Sequence, residues 1–177
     1  MKNPVLKWEL IGIAVISLLG SAFHFIFEWA GELAPIGFFT PVNESVFEHL
    51  KLTFWPTILY SLFSYKWRKS TTTNFILAKA VGLYTMPIAI IVIFYGYTTF
   101  TGESIVIIDI LIFFIAVVCG QLASYRILKM KPLPPWLSWV SLSFIVILAL
   151  IYGLFTFFPP HVPFFMDENT GIYGIPK

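Results

Sequence analysis

Charge is what this sequence has least of. Of its 177 residues, 11% are Asp, Glu, Lys or Arg, against about a quarter in soluble domains. So few charges cannot cover a water-facing surface, which excludes an attached soluble domain. Cysteine occurs once, at Cys119, which excludes an internal disulfide and any thiolate-based zinc site. Lying in an apolar run, it reads as a small packing residue. The formal net charge is +2, and no basic tract interleaves with aromatics, so nucleic acid is excluded as a partner. The familiar catalytic spacings are missing: there is no H-E-x-x-H, no E-x-x-H, no G-x-S-x-G and no Gly-rich phosphate loop. No G-x-x-x-G dimerisation face and no internal repeat occurs either.

What is present is apolar: 58% hydrophobic residues, with 19 Phe. Windows of about 20 apolar residues mark membrane spans. The pattern predicts five, over residues 10–29, 43–65, 74–100, 104–127 and 136–158. The opening segment is basic and then apolar, like a signal peptide. Its apolar run exceeds an h-region of about 7–15 residues and no A-x-A site follows, so it reads as a retained first helix. Pro56 and Pro87 fall inside the second and third spans. Trp and Tyr near span ends read as interfacial anchors.

Basic residues collect on one side of such a bundle. Lys2 and Lys7 precede the first span, Lys66, Arg68 and Lys69 follow the second, and Arg126, Lys129 and Lys131 follow the fourth. The other side holds Glu28, Glu32, Glu44, Glu48, Glu103, Asp167 and Glu168, with Lys51 and Lys177 as its bases. The positive-inside rule then puts the N-terminus in the cytoplasm and the C-terminus outside. The expected architecture is an all-α bundle of five transmembrane helices over residues 1–158. An ordered outer tail over 159–177 is too apolar for a solvated linker and too short to span.

Ionisable groups concentrate in "PVNESVFEHLK", residues 41–51. A helix starting near Asn43 puts Glu44 and Glu48 four apart on one face, with Lys51 three further on. The first span adds His24 and Glu28, also four apart, near its outer end. Two consecutive antiparallel helices would bring His24 and Glu28 towards Glu48 and His49. Asp109, one turn into the fourth span, and His161 in the tail lie on the same side. Asn43 suits the helix start, and Lys51 suits neutralising Glu48. Lys79, near the inner end of the third span, is expected to snorkel to the interface. Gln121, Ser124 and Tyr125 read as joints between helices. No continuous polar row crosses the chain, which argues against a proton-coupled transporter or a single-copy channel.

"HFIFEW", "PVNESVFEHLKLTFWP" and the closing "MDENTGIYGI" resemble DUF6512, a family of small bacterial integral membrane proteins of unknown function. The resemblance covers the whole chain and implies a multi-pass protein of a bacterial plasma membrane. It implies no activity.

Three readings of the cluster stand. Glu28, Glu44 and Lys51 can cap helix ends while His24 hydrogen-bonds inside the bundle. Alternatively His24, Glu48 and His49 hold a divalent metal such as zinc. In the third, Glu48, His49, Glu28 and His24 perform metal-free acid–base or ligand-binding chemistry, supported by Asn43, Glu44, Lys51, His161 and Asp109. An enzyme would be a hydrolase or transferase acting on a lipid-type substrate at the outer leaflet. The alternative is a non-enzymatic module, either a ligand or metal sensor or an accessory subunit. For the topology, a reporter fused after Lys177 is expected to read out on the extracytoplasmic side. A cytoplasmic signal there would overturn the charge assignment.

Overall fold

The computed structural model describes residues 3–68 and 72–176. Among them are five α-helices: α1 (Pro4–Trp29), α2 (Val46–Arg68), α3 (Phe75–Thr101), α4 (Val106–Leu128) and α5 (Trp136–Phe157). Two 3₁₀ turns, Ala34–Phe38 and Pro163–Phe165, sit in the segments before α2 and after α5. Lys2, Lys69 and Lys177 of the charge pattern lie outside the described residues.

The helix ends follow local chemistry. Asn3 caps α1 by accepting the Leu6 N–H at 3.2 Å, and Pro4 opens the first turn, where its missing N–H costs nothing. α3 stops at Gly102, whose φ of 80° is left-handed and whose N–H returns to the Thr98 carbonyl.

α1, α3, α4 and α5 are long and apolar enough to cross a membrane. α2 matches them in length at 23 residues but not in composition. The reason lies in its surroundings. No residue from Val46 to Ile58 is exposed, and Glu48, Lys51, Thr53 and Thr57 are buried along this half. α1 packs on α2 and α4, and α3 on α2, α4 and α5. Four helices thus close a ring, with α5 against its α3 side. Large side chains such as Leu18, Leu62, Ile107, Phe144 and Leu150 cover the outside of the bundle and are exposed. A continuous apolar exterior of this kind suits lipid, not water.

Helix approach is close where small residues sit. A Cβ on Gly20 of α1 would stand 2.6 Å from the Leu52 carbonyl of α2. The two helices therefore nearly touch one turn below His24, as small residues allow at membrane helix interfaces.

Lys79 does not snorkel. It is 3% exposed, and its Nζ donates to both Glu9 oxygens, at 2.8 and 3.0 Å, and to Ser124 Oγ at 3.0 Å. The cause is a carboxylate within reach on α1: a paired ammonium costs less than the strained extension that water would require. The Gln121 amide donates to the Glu9 carbonyl, and the Asn3 amide to the Tyr125 hydroxyl, so these residues do join helices.

After α5 the chain folds back. Met166 and Tyr173 form an isolated antiparallel bridge around a turn held by Asp167, whose Oδ1 accepts the Asn169 and Thr170 N–H groups. Phe165 packs at a tilt on Phe47 and edge-on against Phe155, at 4.6 and 5.4 Å between ring centroids. The Asn43 amide donates to the Gly174 carbonyl at 2.8 Å, tying the tail to the segment that precedes α2.

The Glu9–Lys79 pair gives a direct test. Lys79→Met strands a buried carboxylate and is expected to cost about 3–5 kcal/mol. Adding Glu9→Gln to Lys79→Met should recover much of that loss. Thermal unfolding in detergent reads both, and a double variant no more stable than Lys79→Met would overturn the pairing.

Candidate metal centre

The start of α2 builds the site. Ser45 is the residue before the helix, and its Oγ accepts the Glu48 N–H at 3.3 Å, the N-cap role of a hydroxyl. Asn43, expected to start the helix, instead sits two residues earlier, where its Oδ1 accepts the Ser45 N–H at 2.9 Å. Glu44 is therefore outside the helix, not in its first turn. The i,i+4 relation with Glu48 does not apply, and the two carboxylates part company.

Glu48 turns into the protein. At 2% exposure its Oε2 accepts the Val42 N–H at 3.0 Å and pairs with Lys51, while its Oε1 lies 2.8 Å from the Thr156 hydroxyl. The Lys51 ammonium is fully enclosed and also donates to the Gly37 carbonyl at 2.7 Å and to Thr156 Oγ1 at 2.8 Å. A carboxylate committed to an enclosed ammonium is not available to a metal. Glu48 thus pairs with Lys51 and does not stand in the group that His24 and His49 form.

Glu44 takes its place. His24 Nε2 and His49 Nε2 are 3.2 Å apart, and Glu44 Oε2 lies 3.2 Å from His49 Nε2 and 3.6 Å from His24 Nε2. His49 Nδ1 stands 2.9 Å from the Ser45 carbonyl. A carbonyl only accepts, so Nδ1 carries a proton; in the neutral ring Nε2 is then the free lone pair, and in the imidazolium its N–H donates to Glu44. The Nδ1–carbonyl bond is the outer contact that metal-binding imidazoles make. Hydrogen bonds with His24 and then His49 hold the Glu44 carboxyl well below the usual carboxylate range. Glu44 is thus anionic while the imidazoles donate to it. A triangle of these sides lets one ion sit about 2 Å from all three atoms, the zinc–nitrogen and zinc–oxygen distance. The donor set, two imidazoles and one carboxylate, also suits zinc.

The backbone around Glu44 is held from the tail: its N–H donates to Asp167 Oδ2 at 3.1 Å. A cavity of about 530 Å³ adjoins the trio, walled by α1, α3 and α4 and reached by Glu168 and Asn169 of the tail. Asp109 lines it too, and its Oδ1 accepts the Tyr97 hydroxyl. Glu28 is exposed at the end of α1 and does not join the trio. His161 is exposed and stacks on Tyr173, with centroids 4.6 Å apart, away from the other histidines. Sequence reasoning missed Glu9, Thr156 and Tyr97. Glu9 carried a signal, as an acid near the inner end of α1 opposite Lys79. Thr156 carried none, since it meets Glu48 across 108 residues.

The two carboxylates should separate in stability. Glu48→Gln leaves the Lys51 ammonium without its counter-charge and is expected to cost about 3–5 kcal/mol. Glu44→Gln, at a half-exposed position, should cost about 0–1 kcal/mol. Equal losses in thermal unfolding would contradict the division of roles.

The family model for DUF6512, a family of unknown function, matches residues 1–175. No curated protein matches the chain, and no solved structure does.

Proposed function

The chain belongs to DUF6512, and from the geometry above we propose that it is a metal-dependent membrane enzyme, a hydrolase or transferase acting on a lipid-type substrate. The observation that carries this is the triangle formed by His24, Glu44 and His49, three ligand atoms at zinc spacing on the wall of a largely apolar cavity. All five helices span the bilayer in this reading. α2 is tolerated as a span because its polar groups are enclosed by the others, as lipid demands. In this reading the basic loops face the cytoplasm, with the N-terminus inside and the trio at the outer leaflet of a bacterial plasma membrane.

His24 and His49 would hold the ion through Nε2 and Glu44 through one carboxylate oxygen. A bound divalent ion supplies Lewis acidity and a water whose pKa falls to about 7. Every other role belongs to the chain. The Ser45 carbonyl fixes the His49 tautomer, and Asp167 holds the backbone on which Glu44 is mounted. Asp109, whose Oδ1 accepts the Tyr97 hydroxyl, lines the same cavity and would face the bound substrate. The apolar walls, Ile90, Phe94 and Phe113 among them, would seat an alkyl chain and keep bulk water from the reacting atoms.

Metal analysis of the purified full chain tests the site. Wild type reloaded with zinc should hold one ion per chain. His49→Ala and Glu44→Ala should each lose stoichiometric binding while keeping a cooperative thermal transition. A wild type that holds no zinc, or variants that retain it fully, would sink the proposal. One ion bound without turnover of any lipid tested would favour the sensor reading over the enzyme.

A further inference from the structure

The cavity also has a charge and an opening, and together these point to its occupant. Phe25 of α1 and Ile110 and Phe114 of α4 line it and are 48%, 52% and 39% exposed. The cavity therefore opens sideways, on the lipid-facing surface where α1 and α4 meet. A ligand can enter from the bilayer with its chain already in an apolar medium. The volume of about 530 Å³ lies inside the range of about 300–1,000 Å³ for small-molecule sites, enough for one alkyl chain and a small head.

Among the described residues, the charged groups on the lining are Glu44, Asp109 and Glu168 besides the two histidines, and no Lys or Arg lines it. Even with a divalent ion on the trio, the three carboxylates exceed its charge by one. Among the described residues neither Asp109 nor Glu168 is in an ion pair, and Asp109, half-buried, stands beside apolar walls. A phosphate or carboxylate head would meet uncompensated like charge there, and a protonated amine would meet opposite charge. Lipid-phosphate sites draw on Arg or Lys, which this lining does not offer among the described residues.

We infer that the cavity takes an amphiphile with a protonated amine head, its ammonium against Asp109 and Glu168 and one alkyl chain between α1, α3 and α4. The inference names the substrate class for the enzyme proposed above, but the binding itself does not need the ion. The amine-bearing substrate would present its scissile group to the trio while its head is fixed by the two acids.

Native mass spectrometry of the full chain released from maltoside micelles tests this with dodecylamine, dodecyl phosphate and dodecanoate as probes. One dodecylamine per chain should bind, roughly tenfold more tightly than either anion, about 1.4 kcal/mol. Asp109→Asn and Glu168→Gln should each erase most of that preference. Glu168 is exposed in the tail, so Glu168→Gln keeps the test valid even if Asp109→Asn, which disturbs Tyr97, folds poorly. Chelator-treated protein should keep the amine preference. Its survival there separates the amine site from the metal reading, whichever of the two fails. Equal binding of amine and anions by the wild type, or a preference untouched by Glu168→Gln, would overturn the inference.

Discussion

An enclosed ammonium must be answered from several directions at once, and Lys51 shows what that requires. Its Nζ meets Glu48 of its own helix, the Gly37 carbonyl of the turn before α2 and the Thr156 hydroxyl of α5. Desolvating an ion costs several kcal/mol unless geometry and further hydrogen bonds repay it. Satisfying this one group therefore brings three chain segments to fixed positions. The turn at 34–38, the first turns of α2 and the end of α5 converge because their polar atoms have nowhere better to go. The tail then closes on the same region through Asn43 and Phe165.

The candidate centre is a consequence of that arrangement. With Glu48 drawn inward, the Ser45 cap sets where the helix begins, and Glu44 is left on the outer side of the cap. His49, next to Glu48 in sequence but about 100° round the helix, faces α1. Gly20 lets α1 approach close enough for His24 to meet it. One helix start thus divides into an inward half that stabilises and an outward half that can bind. The two halves share residues 44–51 yet have no side chain in common.

A second buried pair, Glu9–Lys79, holds the opposite end of the ring, with Ser124 of α4 as its third member. Ion pairs at both ends and apolar packing between them suit a bundle whose exterior is solvated by lipid. Without a hydrophobic driving force between helices, polar contacts and close packing must bring them together. The same logic explains why α2 has the poorest apolar character and the most enclosed first half.

The sequence by itself determined the all-helical character, the helix positions to within about six residues, and the expectation that His24, Glu28, Glu44, Glu48 and His49 lie toward one end. Those follow from apolar run length and from helical spacing, which act over a few residues. It could not say which carboxylate would serve the histidines. A helix start at Asn43 makes Glu44 and Glu48 equivalent, and a start at Val46 separates them. That choice rests on groups far along the chain: Thr156, 105 residues from Lys51 and 108 from Glu48, and Asp167, 123 from Glu44. Lys79 was misjudged for the same reason, because its partner Glu9 lies 70 residues away. Only the tertiary structure decides such pairings. The energy of a buried charge is set by whatever surrounds it in space, and spacing along one helix carries no record of that.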